Sequence, residues 1–297
     1  MLDNSFLSVA LTIKDIRKSE VLLPIARKSA VVTPFLLGEH QVLKTAILSP
    51  QNYDRELVKC LHKHTVIIEK DENDVVTNET KPKYDEMITH ISNIDKILLL
   101  WGCYRSTYEN LGIRKVKCKC GVENKYKITL EELIHPEDSL TIWEDEKVPF
   151  YEYTYSIVIP FEEYEYTFET GIPTIHRHNQ ILGMIPIEKI KENLESESIL
   201  SGSEELAVLT KNIIIKKNNT EVTRSNNIQE ILVFFNTALP SDVSEEFQKQ
   251  YEERFGKYQP KFYTNLTCND CNHVTKLNID LETEFFRRIL LGRELVA

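Results

Sequence analysis

The spacing of apolar residues changes along this chain, and each change predicts a different kind of element. In residues 5–33, Val9, Leu11 and Ile13 alternate with Ala10, Thr12 and Lys14, and the apolar stretch Val21-Leu22-Leu23-Pro24-Ile25 follows. Period-two spacing with β-branched residues predicts two short strands or an extended arm. From Thr33-Pro34-Phe35 the spacing turns helical: Leu43, Ala46 and Ile47 share a face. Ser49-Pro50 then supplies a capping oxygen and a first-turn residue with no amide to leave unpaired. The helix it opens has Tyr53, Leu57, Cys60 and Leu61 on one side. Residues 70–83 are polar and charged and read as an exposed loop. Met87, Ile88, Ile91, Ile94, Leu98 and Trp101 predict one long helix over 84–109, its last third apolar nearly all round, with Asn110-Leu111-Gly112 as its C-cap.

Residues 113–130 predict a strand, a Cys-x-Cys-Gly turn and a second strand. Over 147–169 the alternation is clean. Tyr151, Tyr153, Tyr155, Ile157 and Ile159 share one face of a strand; in the next, Tyr164, Tyr166 and Phe168 oppose Glu163, Glu165 and Glu169. That pattern is a half-buried antiparallel sheet. Helices are expected at 187–197, 203–212, 226–238 and 241–256, with polar breaks at 195–202 and 216–227. A strand, a Cys-x-x-Cys turn, a strand and a helix at about 281–291 close the chain.

An ungapped internal repeat singles out the two cysteine turns. Val116-Lys117-Cys118-Lys119-Cys120 corresponds to Leu266-Thr267-Cys268-Asn269-Asp270-Cys271. Counted from the last Cys of each, Lys125 matches Lys276, Tyr126 matches Leu277, Ile128 matches Ile279, Leu130 matches Leu281 and Glu131 matches Glu282. Each unit is strand, thiolate turn, strand, and two such units facing each other make a zinc ribbon. Zinc takes four ligands tetrahedrally and binds thiolates tightly, and Gly121 supplies the dihedrals that a tight turn needs. Cys118, Cys120, Cys268 and Cys271 are therefore the expected ligands of one Zn2+, with His273 as an alternative to one of them. A closed four-Cys site leaves no position for water, so the zinc is structural.

Composition narrows the rest. With 41% hydrophobic residues in 297, the chain can bury a sizeable core. Its net charge of −10 argues against wrapping nucleic acid through its overall field and leaves room for a local basic patch. No apolar run approaches a membrane span, and Met1-Leu2-Asp3-Asn4-Ser5 lacks the basic start of a secretory signal. The expected setting is reducing and cytosolic, which turns six Cys toward metal or core roles.

Other candidates have plainer explanations. Cys60 and Cys103 lie on apolar helix faces and read as core thiols. The run Cys60-Leu61-His62-Lys63-His64 looks metal-like, but its side chains spread over different faces and read as a solvated helix end. His176-Arg177-His178 alternates as on a strand, with no carboxylate nearby in sequence; a pocket joining either His to a carboxylate would favour an enzyme. Glu162, Glu163, Glu165 and Glu169 read as a solvated strand face, and so do Lys211, Lys216 and Lys217. No phosphate loop, nucleophile elbow or His-Glu-x-x-His is present.

The order of features also carries a resemblance. Thr33-Pro34-Phe35 is followed by Glu39, Leu43 and Ala46, then by the helix with Cys60. Asp95 opens Ile97-Leu98-Leu99-Leu100, Arg105-Ser106-Thr107 closes it, and the thiolate turn at Cys118 and Cys120 comes next. This resembles the baseplate hub protein family of T-even-type contractile-tailed bacteriophages, over residues 30–135 and the second Cys pair. The Cys-x-Cys spacing is narrower than is usual for a ribbon, and residues 140–260 have no match. The resemblance implies a non-enzymatic structural subunit of the virion tail baseplate, assembled in the host cytoplasm with other hub and tail proteins, and it carries over no catalytic residue.

The expected fold is α+β. An extended arm or short strands at 1–33 precede a helical region with a split zinc ribbon at 34–135 and 260–297, which brackets an inserted β-then-α region at 136–259. Two other readings compete: a zinc-ribbon nucleic-acid-binding or transcription-related protein, and an enzyme with an unrecognised site in 140–260.

Overall fold

In the computed structural model, residues 17–46, 50–130, 133, 140–186, 188–189, 200–279, 281 and 284–285 are described. The expected strand at Val9–Ile13, the cap at Ser49 and most of the helices at 187–197 and 281–291 lie outside them. The described chain mixes α and β structure around two hydrophobic cores.

The first core is built on an antiparallel sheet in sequential order. Strands β1 (Ser19–Leu23) and β2 (Lys28–Val32) form a hairpin, and β3 (Thr65–Lys70) and β4 (Val76–Thr80) extend it. Helices α1 (Leu37–Ala46) and α2 (Pro50–His64) lie between β2 and β3. The expected exposed loop over 70–83 is largely exposed but contains strand β4, with turn and loop at 71–75 and 81–83. Every residue of β4 is exposed, so its strand character comes from backbone pairing with β3 and leaves no apolar alternation to read.

The single helix expected over 84–109 is two. Helix α3 (Tyr84–His90) stops at Ile91, and α4 (Asn93–Thr107) restarts with Ser92 as N-cap, its Oγ accepting the Asp95 amide at 2.9 Å. The break follows from long-range pairing, because Asn93 N donates to Pro173 O and Ile175 N to Ile91 O. Helix α4 carries Leu98, Leu99, Leu100, Trp101 and Tyr104 into the core, all fully buried. It lies so close to the hairpin that a Cβ on Gly102 would meet Val21 at 2.8 Å and Val32 at 3.1 Å.

Two further hairpins pack on this first core from distant parts of the chain. They are β5 (Asn110–Lys117) with β6 (Glu123–Thr129), and, after an excursion of more than a hundred residues, β11 (Tyr263–Thr267) with β12 (Val274–Asn278). Ile128 and Leu130 from the first unit join Phe262, Leu266, Leu281 and Phe285 from the second. Gly112, expected to cap a helix, sits at φ 83° in a bulge of β5, and α4 ends at Tyr108 instead.

The excursion forms the second core. A sheet of order β10-β9-β8-β7 holds β7 (Tyr155–Phe161), β8 (Tyr164–Thr170), β9 (Thr210–Lys217) and β10 (Thr220–Ser225). Ile157, Ile159, Tyr166 and Phe168 bury their side chains, as their alternation predicts. Helix α5 (Ile175–Leu182) follows β8, and α6 (Gly202–Leu209) precedes β9. Helices α7 (Ile228–Thr237) and α8 (Ser241–Phe255) supply Ile231, Phe235, Phe247 and Tyr251 to the core.

Three expectations fail in this region. The helix over 203–212 ends at Leu209, and the β-branched run Ile213-Ile214-Ile215 continues as strand. The polar break at 216–227 contains a hairpin turn, with Asn218 and Asn219 at φ 49° and 65°, the backbone that Asn tolerates. His176-Arg177-His178 lies in a helix, capped by Thr174.

Candidate metal centre

The two cysteine hairpins are built alike. In β5–β6, Lys117 pairs with Glu123, and the loop between them closes with Cys118 N donating to Val122 O at 2.8 Å. In β11–β12, Thr267 pairs with Val274, and Cys268 N donates to His273 O at 2.9 Å. Val116 opposite Asn124 corresponds to Leu266 opposite Thr275, so the sequence repeat is a repeat of hairpins. The residue after the second Cys has positive φ in both loops: Gly121 at 92° and Asn272 at 56°. Glycine enters that region freely, and Asn is one of the few residues with a Cβ that tolerates it.

Each loop brings its two sulfurs to the same point. Cys118 Sγ lies 3.5 Å from Cys271 Sγ, and Cys120 Sγ 3.8 Å from Cys268 Sγ. All four lie within 4.8 Å of one another. A metal bonded at about 2.3 Å to four tetrahedral sulfurs sets their separations at about 3.8 Å, so the cluster fits one ion with little adjustment. The cysteines are free thiols, and Cys118, Cys120, Cys268 and Cys271 can hold a metal ion. His273 contributes its carbonyl to the loop and stands outside the cluster.

The surroundings prepare one sulfur. Backbone amides of Cys271 and Asp270 point at Cys268 and pull its pKa down to about 6. Asn124 adds its Nδ2 to the same sulfur at 3.3 Å, while its Oδ1 accepts the Asn269 amide at 3.3 Å. Cys271 also faces a backbone amide, that of His273, yet its sharing of hydrogen bonds with Cys118 and Cys120 pushes it up to about 12. A cation bound here would take all four sulfurs as thiolates, displacing whatever protons they hold as it binds. Sequence reasoning missed Asn124. Its position in the repeat holds Thr275 in the second hairpin, so nothing in the pattern marked it.

The other candidates separate cleanly. Cys60 and Cys103 are buried core thiols; burial pushes Cys60 up to about 11 and Cys103 well above the usual thiol range. His62 contacts Pro82 O, whereas His64 lies between Thr33 Oγ1 at 2.8 Å and Glu39 Oε2 at 2.6 Å. Glu165 of β8 pairs with Lys216 of β9 directly across the ladder, and Glu163, in the turn before β8, pairs with Lys217, both at 2.8 Å.

His178 does meet a carboxylate. Its Nδ1 lies 3.6 Å from Asp54 Oδ2, and Lys96 Nζ lies 2.8 Å from Asp54 Oδ1. These side chains, from α5, α2 and α4, are only 10%, 3% and 0% exposed, so the contact is an ionic seam closed to solvent. Burial alone would raise the Asp54 pKa. The Lys96 ammonium and the His178 ring outweigh it and hold the carboxyl well below the usual range. Asp95 braces the same region, accepting Ile25 N at 3.2 Å, Ala26 N at 3.0 Å and Ser92 Oγ at 2.9 Å.

Comparison with protein-family models, with curated proteins and with solved structures gave no match. Among the described residues, no helix is long and apolar enough to cross a membrane.

Proposed function

We propose that the chain is a structural subunit of a contractile phage tail baseplate, in its hub region, acting in tail assembly through contacts with other hub and tail proteins. It carries one structural zinc on Cys118, Cys120, Cys268 and Cys271. One observation carries the assembly reading: the residues that bear the family resemblance are braces of a single core. Thr33 and Glu39 both engage the buried His64. Asp95 holds the turn between β1 and β2 through Ile25 and Ala26. Arg105 Nε reaches Ser19 Oγ at 2.7 Å on β1, and Cys118 ties that same core to the far end of the chain. A motif spent wholly on bracing suits a subunit whose work is to present rigid surfaces.

The zinc reading rests on the donor set. Four thiolates on two rigid loops suit a single tetrahedral soft ion and leave no open position for a substrate. The zinc therefore joins chain segments about 150 residues apart and takes no part in chemistry.

Purification from the native source under mild conditions, with mass spectrometry of what accompanies the chain, tests the assembly reading. Hub, tail-tube or tape-measure proteins in fixed ratio are expected; polymerase subunits or nuclease-sensitive nucleic acid would overturn it. The same preparation should hold one zinc per chain, and Cys268→Ser none. A zinc-free wild type would remove the metal.

A further inference from the structure

The hairpin that carries Cys118 and Cys120 is a basic island in an acidic chain. Residues 114–127 hold six Lys or Arg against one Glu, in a protein of net charge −10. Strand alternation sorts them. Val116, Tyr126 and Ile128 pack toward the first core, while Lys115, Lys117, Lys125 and Lys127 are exposed. The register sets Lys115 directly opposite Lys125, a like-charge pairing that weakens a sheet. Among the described residues little offsets it. Arg114 pairs with Glu284, and Lys115 comes within 3.9 Å of Glu123. Among the described residues, Lys117, Lys125 and Lys127 have no ion pair.

Beside this face a groove of about 500 Å³ runs between β6 and β11, lined by Lys125, Lys127, Thr264, Asn265, Thr267 and Asn269 among others. Ammonium, amide and hydroxyl groups suit carboxylates and peptide carbonyls. We infer that this face and groove bind an acidic, extended polypeptide segment of a partner protein. The inference takes from the proposed function only that the chain works through contacts with other proteins. A nucleic acid fits less well. The aromatic rings here are already engaged, Tyr126 by its hydroxyl bond to Thr267 O at 2.9 Å and Tyr263 under the Lys276 ammonium at 3.7 Å, so no free platform stacks a base. A long polyanion would also run from the hairpin into the field of an acidic protein, which a short acidic segment avoids.

The test uses the full chain with a fluorescein-labelled deca-glutamate peptide and a single-stranded oligonucleotide of equal charge, at physiological salt. Wild type is expected to bind the peptide more tightly than the oligonucleotide. The double substitution Lys125→Glu and Lys127→Glu should weaken peptide binding at least ~10-fold, and Lys28→Glu with Lys147→Glu, on other surfaces, should leave it unchanged. Zinc content should stay the same in both. Lys125→Glu alone should raise the thermal midpoint of the free chain by about a degree, because it relieves the contact with Lys115. Four results would overturn the inference: no peptide binding by wild type, tighter oligonucleotide binding, equal loss in the control pair, or zinc loss in the Lys125/Lys127 variant, which would make these lysines the counter-charge of the thiolate centre. Failure of the co-purification with intact peptide binding would remove the baseplate reading alone, and the reverse result would remove this one alone.

Discussion

Two clasps hold distant parts of this chain together, and they work by different physics. The four-cysteine cluster joins β5–β6 to β11–β12 through sulfurs that converge only when both hairpins are in place. A metal bound there contributes its binding energy to folding, because the unfolded chain has no preformed site. The seam of Asp54, Lys96 and His178 joins α2, α4 and α5 where the two cores meet. Its attraction is offset by the cost of removing the charges from water. With a metal bound, the first clasp therefore adds stability, whereas the second mainly fixes which helix faces meet and is expensive only when half of it is removed.

The largest test of that contrast is Cys268→Ser or treatment with a strong chelator. Either should abolish metal binding and lower the thermal midpoint by on the order of 10 °C, measured by calorimetry. Both hairpins should lose amide protection together. Next comes the seam. Asp54→Asn removes the carboxylate that faces the buried Lys96 and should cost about 3–5 kcal/mol in denaturant unfolding, while Asp54→Leu with Lys96→Met should come back to within ~1–2 kcal/mol of wild type. Equal losses in the single and double variants would contradict the account of the seam.

Asp95 gives a third test, with the opposite pH sign to Asp54. Burial pushes Asp95 up to about 6 against the pull of its Ser92, Ile25 and Ala26 donors. The folded state then binds the extra proton between the unfolded value of 3.8 and about 6, so this contribution is complete below the lower value and is lost as pH rises through the upper one. Asp54, with its pKa depressed, contributes above the unfolded value and loses its contribution on acidification. The stability difference between wild type and Asp95→Asn should therefore shift by up to ~3 kcal/mol from pH 4 to pH 6.5; a flat difference would contradict it. The smallest effect is expected at the exposed ladder, where Lys216→Ala should cost less than ~1 kcal/mol and be insensitive to chelation.

The sequence showed the first clasp and hid the second, and the reason is range. The ungapped repeat, two cysteines per turn and Gly121 after the first pair are local signals, so both hairpins and all four sulfurs were legible. So was the alternation in β7 and β8, where one face is buried and the other wet. Asp54, Lys96 and His178 sit 42 residues apart or more, and nothing local links Asp54 and Lys96, each an ordinary polar residue on a helix, to a His in a segment that reads as extended. The break between α3 and α4 was hidden for the same reason: Ile91 and Asn93 keep the helical pattern, and the bonds from Asn93 to Pro173 and from Ile175 to Ile91 impose the interruption. Strand β4 carries no apolar face at all, so only its pairing with β3 defines it. The His176–His178 segment alternates as a strand does, and the Thr174 side chain that caps its helix is a signal that sequence reasoning left unused.

The account depends most on one metal ion held by four sulfurs. X-ray absorption at the zinc edge, on full-length protein purified without added metal, measures this directly. The expected spectrum is one zinc per chain with four sulfur neighbours at about 2.3 Å. A zinc shell containing nitrogen or oxygen, fewer than four sulfurs, or no zinc would contradict it.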